Sequence, residues 1–156
     1  MINKKKGQDL FKKLPKPKRV IVFIDGNNLY HAMQELYSIS FLDIQEFAKT
    51  LCLKNRHLEQ IRYYYAPFVE NVNRSMFIEQ QKYIGQIRNF SNIEIIEGKY
   101  IKKRILLKKS TMKKIEHLIN QDDLIGYTEK GTDVNIAIDI LILAITNKYD
   151  TAICSF

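Results

Sequence analysis

Val20-Ile21-Val22-Phe23-Ile24-Asp25-Gly26-Asn27-Asn28 is the stretch on which the fold turns. Five consecutive apolar residues running into Asp-Gly-Asn-Asn predict a buried strand over 19–24. It stops abruptly and leaves a carboxylate at its carboxyl end. In open α/β sheets, ligands bind outside that edge. The same residues also allow a purely local reading, in which Asp25-Gly26 turns the chain and Asn27 or Asn28 caps the next helix. Local sequence leaves both open.

Outward from this strand the pattern alternates. Leu29, Ala32, Met33 and Leu36 have helical spacing and predict a helix over 28–37. Ile44, Phe47, Ala48 and Leu51 predict a second over 43–53, with Asp43 as its cap. A strand over 60–66 is stopped by Pro67. A helix over 73–90 follows, with Phe77, Tyr83, Ile84, Ile87 and Phe90 as its apolar face, and then a strand over 93–96. Residues 100–107 read as a strongly basic strand or hairpin, and 110–126 fit neither helix nor strand clearly. The isoleucine-rich stretch 134–145 is long enough for a helix, with Thr132 or Asp133 as its cap, and 151–156 begins a last strand. Strands separated by helices predict one α/β domain with a central, mostly parallel sheet.

A chain of 156 residues buries a sizeable core, and 46% apolar with 27% charged residues is ordinary for a globular domain. Cys52 and Cys154 match no metal or redox spacing and read as reduced thiols of a cytoplasmic protein. No secretory signal is legible at the basic start, and the apolar stretch 134–145 is too short to span a bilayer. The net charge of +8 points to an anionic partner. Residues 1–19 hold Lys4, Lys5, Lys6, Lys12, Lys13, Lys16, Lys18 and Arg19 against the single acid Asp9. Residues 1–18 therefore read as a basic, flexible leader closed by Pro15 and Pro17, with the domain over 19–156. A second basic run holds Lys99, Lys102, Lys103, Arg104, Lys108, Lys109, Lys113 and Lys114 with no acid. Both runs suit salt-sensitive phosphate binding, and both also suit a solvated surface.

Three acids stand apart from ordinary surface charge. Asp25 ends the first strand, Asp133 sits where the 134–145 helix begins, and Asp139 interrupts that helix's apolar run. Metal-assisted phosphoryl transfer needs carboxylates converging from different segments. Each acid also has a plain structural use: Asp133 as a cap, Asp139 with Asn135 and Thr146 in a wet stripe facing solvent. An aspartyl-phosphate mechanism of the haloacid-dehalogenase type needs a second Asp two residues after the first, and Asn27 stands there. No glycine-rich phosphate loop is present, and His31, His57 and His117 lack ligand spacing.

Ile21-Val22-Phe23-Ile24-Asp25-Gly26-Asn27-Asn28-Leu29 resembles the opening motif of NYN domains, the PIN-like nuclease group that includes LabA-like and DUF88 proteins. Lys130-Gly131-Thr132-Asp133-Val134 with Ala137-Ile138-Asp139 resembles their second motif, and 147–153 resembles the approach to their third. The resemblance implies a PIN-like, Rossmann-like three-layer α/β/α sandwich and Mg²⁺- or Mn²⁺-dependent hydrolysis of RNA. It implies Asp25 and Asp133 as metal-site carboxylates, Asp139 as a supporting acid, and Asn28 orienting the first loop or the substrate. Lys130 would meet the substrate strand, and Lys99, Lys102, Lys103 and Arg104 would bind its phosphates.

The family's third motif, roughly Ser-Gly-Asp-x-Asp-Phe, has no counterpart in Ile153-Cys154-Ser155-Phe156. The expectation is thus a domain incomplete at its C-terminus, with exposed apolar surface open to self-association. Two functional readings follow: a metal-dependent ribonuclease, or an RNA-binding module or remnant in which turnover is impaired.

Overall fold

In the computed structural model, residues 16–39, 41–105, 110–111, 114, 117–118 and 125–155 are described. The elements run β1 (Lys18–Asp25), α1 (Gly26–Tyr37), α2 (Ile44–Leu51), β2 (Arg56–Tyr65), α3 (Arg74–Ile87), β3 (Ile93–Glu97), β4 (Lys99–Arg104), β5 (Ile125–Lys130), α4 (Thr132–Ile145) and β6 (Thr151–Ser155). Most of residues 1–18 and of 110–126, together with Leu106, Leu107 and Phe156, lie outside the described residues.

The central sheet has the order β3-β2-β1-β6, and every pair in it is parallel. β1 is buried without a break from Val20 to Asp25 because helices cover both faces, so its sequence is a continuous apolar run rather than an alternation. The strand period of two divides those residues between two cores. Val20, Val22 and Ile24 pack with Ile44 and Ala48 of α2 and with Ile84 and Ile87 of α3, and Leu29 of α1 joins them. Ile21 and Phe23 point the other way and pack with Tyr64 of β2 and Ile136 of α4. Three helices therefore cover one face and α4 the other, in the predicted three layers. The last strand lies beside β1, and Arg19 anchors its entry: the Asp150 carboxylate accepts from the Arg19 backbone N–H at 2.8 Å and from its guanidinium at 3.1 and 3.3 Å.

The structure changes several local readings. α1 begins at Gly26, two residues earlier than the periodicity predicts. Its cap is Asp25, which accepts from the Asn28 N–H, so neither Asn27 nor Asn28 holds that position. Asp43 and Asn73 cap α2 and α3 through their side chains. α4 is capped by neither Thr132 nor Asp133: Gly131 takes the position with φ of 92°, a conformation that only glycine adopts cheaply, and no side chain closes that end. Asp133 falls in the first turn instead, where a negative charge suits the helix dipole.

The solvent-facing stripe that was one reading of α4 does not form. Asp139 turns toward the sheet, while Val134, Ile138, Leu141, Ile142 and Ile145 are exposed. The basic segment forms β4, as one of its two readings had it, but its partner β5 was not foreseen. β4 and β5 pair antiparallel in a separate two-stranded sheet, with Lys99 opposite Lys130 and Lys102 opposite Tyr127.

Candidate functional site

Each residue of Asp25-Gly26-Asn27-Asn28 has a distinct physical task. Asp25 is 6% exposed at the carboxyl end of β1. Its Oδ1 accepts from the Asn28 backbone N–H at 3.0 Å and its Oδ2 from Asn28 Nδ2 at 3.2 Å, so one residue orients both oxygens. A carboxylate is acceptor-only, the donor chemistry that a hard cation takes. Gly26 lies against the Tyr63 ring, where an added Cβ would stand 2.4 Å from ring carbon. Only glycine permits that approach.

Asn27 is 2% exposed and ties three segments together. Its Nδ2 donates to Ala66 O and to the Tyr100 hydroxyl, each at 3.2 Å, while Gln80 Nε2 reaches Asn27 Oδ1 at 3.4 Å and Ala66 O at 3.2 Å. Gln80 Oε1 accepts from the Phe68 N–H at 2.8 Å. The start of α1, the loop after β2 and the start of β4 are thereby locked at one edge of the sheet. The dipeptide Asn27-Asn28 signals a turn in sequence, and nothing local to it reveals partners 39 and 73 residues away.

α4 begins at this same edge. The Gly98 N–H donates to Tyr65 O at 2.7 Å, closing the ends of β2 and β3. A Cβ on Gly98 would meet Thr132 Oγ1 at 2.8 Å, so glycine lets the first residue of α4 approach this edge. Thr132 is 3% exposed, and its hydroxyl has no hydrogen-bond partner among the described residues. Asp133 follows, exposed at the helix start, with Lys130 also exposed two residues before Thr132.

Asp139 lies elsewhere. It is six residues further along α4, about 9 Å down the helix axis, between helix and sheet. Its Oδ2 accepts from Arg62 Nη2 at 2.8 Å and from the Tyr64 hydroxyl at 2.7 Å. Arg62 is 8% exposed. Its Nε donates to the Tyr64 hydroxyl at 3.0 Å, and its Nη1 pairs with Glu94. Burial opposes the Arg62 charge, but the bonds to Tyr64 and Asp139 outweigh it and raise its pKa. Burial, followed by the bond to Asp139, pushes the Tyr64 hydroxyl well above its ordinary range, which keeps it a neutral donor. Of the two readings of Asp139, the one in which it lies on a solvent-facing stripe is therefore corrected. The helix carries an acid inward because a buried arginine awaits it.

Asp25 and Asp133 thus share the carboxyl edge, while Asp139 is engaged by Arg62 and Tyr64. Among the described residues, no three His, Cys, Asp or Glu side chains gather closely enough to hold a metal. Carboxylate oxygens are the hard donors that Mg²⁺ and Mn²⁺ take, and these ions keep several waters and accept phosphate oxygens as ligands. The predicted substrate-contacting cations Lys99, Lys102, Lys103, Arg104 and Lys130 are all exposed on the β4–β5 ribbon. Sequence reasoning missed the aromatic residues beside them. Phe68 and Tyr100 stack with centroids 6.5 Å apart, and Tyr30 meets Phe68 edge-on at 5.6 Å. The legible signal was the aromatic and basic interleaving of Tyr100-Ile101-Lys102-Lys103-Arg104.

An α/β domain with a parallel sheet and carboxylates at its carboxyl edge belongs to the class of proteins that bind ligands outside strand ends. The NYN domain family matches residues 19–155, and the chain belongs to that family. No curated protein and no solved structure matches it. Family membership implies a nuclease-like role on nucleic acid, and such PIN-like nucleases generally use divalent metals. Among the described residues, no helix is long and apolar enough to cross a membrane.

Proposed function

We propose that this chain is a cytoplasmic NYN-type ribonuclease domain of the LabA-like or DUF88 kind, acting on RNA phosphodiesters with Mg²⁺ or Mn²⁺. The observation that carries this reading is Asp25, buried at the carboxyl end of β1 with both oxygens oriented by Asn28. Asp25 and Asp133 would hold the cation, which when bound neutralises phosphate charge and lowers the pKa of a water. Asn28 fixes the Asp25 carboxylate. Lys130, Lys99, Lys102, Lys103 and Arg104 attract the phosphate backbone, and the basic residues of 1–18 add to that attraction. Asp139 supports the site at one remove: through Arg62 and Tyr64 it holds α4, and with it Asp133, against the sheet.

Purified protein incubated with labelled RNA tests this. Cleavage is expected with Mg²⁺ or Mn²⁺ and absent with chelator, and Asp25→Ala is expected to abolish it. Cleavage that persists in Asp25→Ala at equal purity defeats the assignment.

A second reading is favoured by one observation: no group of three acids gathers among the described residues. It is a module that binds RNA without cutting it. It predicts RNA affinity that falls steeply with salt and no metal-dependent product.

A further inference from the structure

An open groove of about 310 Å³ lies between the loop after β2 and the β4–β5 ribbon. Phe68 and Val72 form one wall, and Tyr100, Ile125 and Tyr127 the other. Strand alternation and pairing set which residues share the ribbon's groove face. Tyr100, Lys102 and Arg104 of β4 lie on it, with Tyr127 directly opposite Lys102 and Ile125 directly opposite Arg104. Two tyrosines and two cations therefore share one surface. Tyr100 is already held, stacked on Phe68 and bonded to Asn27. Tyr127 is not: it is 39% exposed, and no ring contact among the described residues engages it. Glu70 is answered by Arg74 at 3.6 Å, and Lys102 and Arg104 outnumber Glu129, which stands opposite Tyr100 on the same face.

A rigid aromatic wall with a free tyrosine ring and two flanking cations matches an unpaired nucleobase between two phosphates. Paired bases in a duplex show only their edges and cannot stack on a side chain. We infer that this groove is a nucleobase subsite for single-stranded RNA, with an unpaired base stacked on Tyr127 and with Lys102 and Arg104 on its flanking phosphates. The inference rests on the RNA reading above and adds to it the strandedness of the substrate. Because Asn27, at the start of α1, joins Tyr100 to the carboxyl end of β1, the groove adjoins the edge that carries Asp25.

The test is equilibrium binding of a fluorescent single-stranded RNA, the same strand annealed to its complement, and an abasic strand of equal length. The wild-type chain is expected to prefer the single strand over both others. Tyr127→Ala is expected to weaken single-strand binding roughly 5- to 150-fold, the range of one lost base stack, with an unchanged salt slope. Tyr127→Phe keeps the ring and is expected to bind like wild type. Lys102→Ala is expected to weaken all three probes and to reduce the salt slope by about one. Tyr127 is exposed, so its variants are expected to fold, and a thermal melt checks this.

Wild-type affinity retained in Tyr127→Ala, or equal affinity for single strand and duplex, overturns the subsite while leaving the RNA reading intact. Loss of self-association rather than of RNA binding in Tyr127→Ala overturns it in favour of a protein surface. No binding of any RNA by the wild-type chain overturns both readings together.

Discussion

Two carboxylates on the same side of the sheet meet opposite fates. Asp25 sits at the sheet edge, bonded to the neutral amide and the backbone N–H of Asn28. Asp139 lies beneath α4, bonded to the guanidinium of Arg62 and the hydroxyl of Tyr64. The bonds from Asn28 orient the Asp25 carboxylate at the edge where ligands bind. A carboxylate met by arginine has already spent its charge on holding a helix to a sheet. Acids that look equivalent in sequence are thus separated by what faces them across the fold.

The largest expected effect comes from breaking the Arg62 network. Arg62→Ala leaves Asp139 partly buried without its cation, which costs about 3 kcal/mol, the lower end for a buried pair because Glu94 is half exposed. For a chain of this size that lowers the melting temperature by roughly 10 °C, measurable by calorimetry. Replacing both partners with apolar residues, Arg62→Met with Asp139→Leu, is expected to recover most of that loss. If it does not, the network does more than hold α4.

Gly26→Ala attacks the other region. Its Cβ would collide with the Tyr63 ring, which is 5% exposed and would have to shift, so a cost of roughly 1–3 kcal/mol is expected in denaturant unfolding. A neutral result would show that the edge loop is looser than its contacts imply.

The smallest effect is expected at the opposite edge, where exposed Asp150 pairs with Arg19. The hydrogen bonds from Arg19 hold the Asp150 pKa below its ordinary 3.8. A folded value below the unfolded one means that the stabilisation is complete above 3.8 and is lost as pH falls through the folded value. Asp150→Asn should therefore be slightly less stable than wild type near neutrality, and the gap should close only in strong acid. A gap that persists there would show that the bond geometry, rather than the charge, carries the contact.

The central sheet was legible because its strands are apolar runs that end at turn residues, and β1 is the clearest of them. Helix starts were less so. Asp25 was read as belonging to an edge or a turn, and it proved to cap α1 while standing at that edge. β5 was missed because Ile125-Gly126-Tyr127-Thr128-Glu129-Lys130 has weak alternation and pairs with a strand more than twenty residues earlier. The partner of Asp139 was illegible for the same reason: Arg62 lies 77 residues away, and no local pattern marks an arginine that will be buried. At the site, the candidate acids Asp25 and Asp133 could be picked out from residues alone, whereas the tasks of Gly26, Asn27 and Tyr100 depend on contacts that only the fold creates.

The most direct measurement compares metal-dependent RNA cleavage by the wild-type chain and by Asp25→Asn, alongside their thermal melts. Asparagine can still cap α1 but carries no charge, so it separates the site role of Asp25 from its structural one. The predicted result is cleavage reduced at least about 100-fold with an essentially unchanged melt. Cleavage at the wild-type rate in Asp25→Asn would contradict the placement of the site at the carboxyl end of β1.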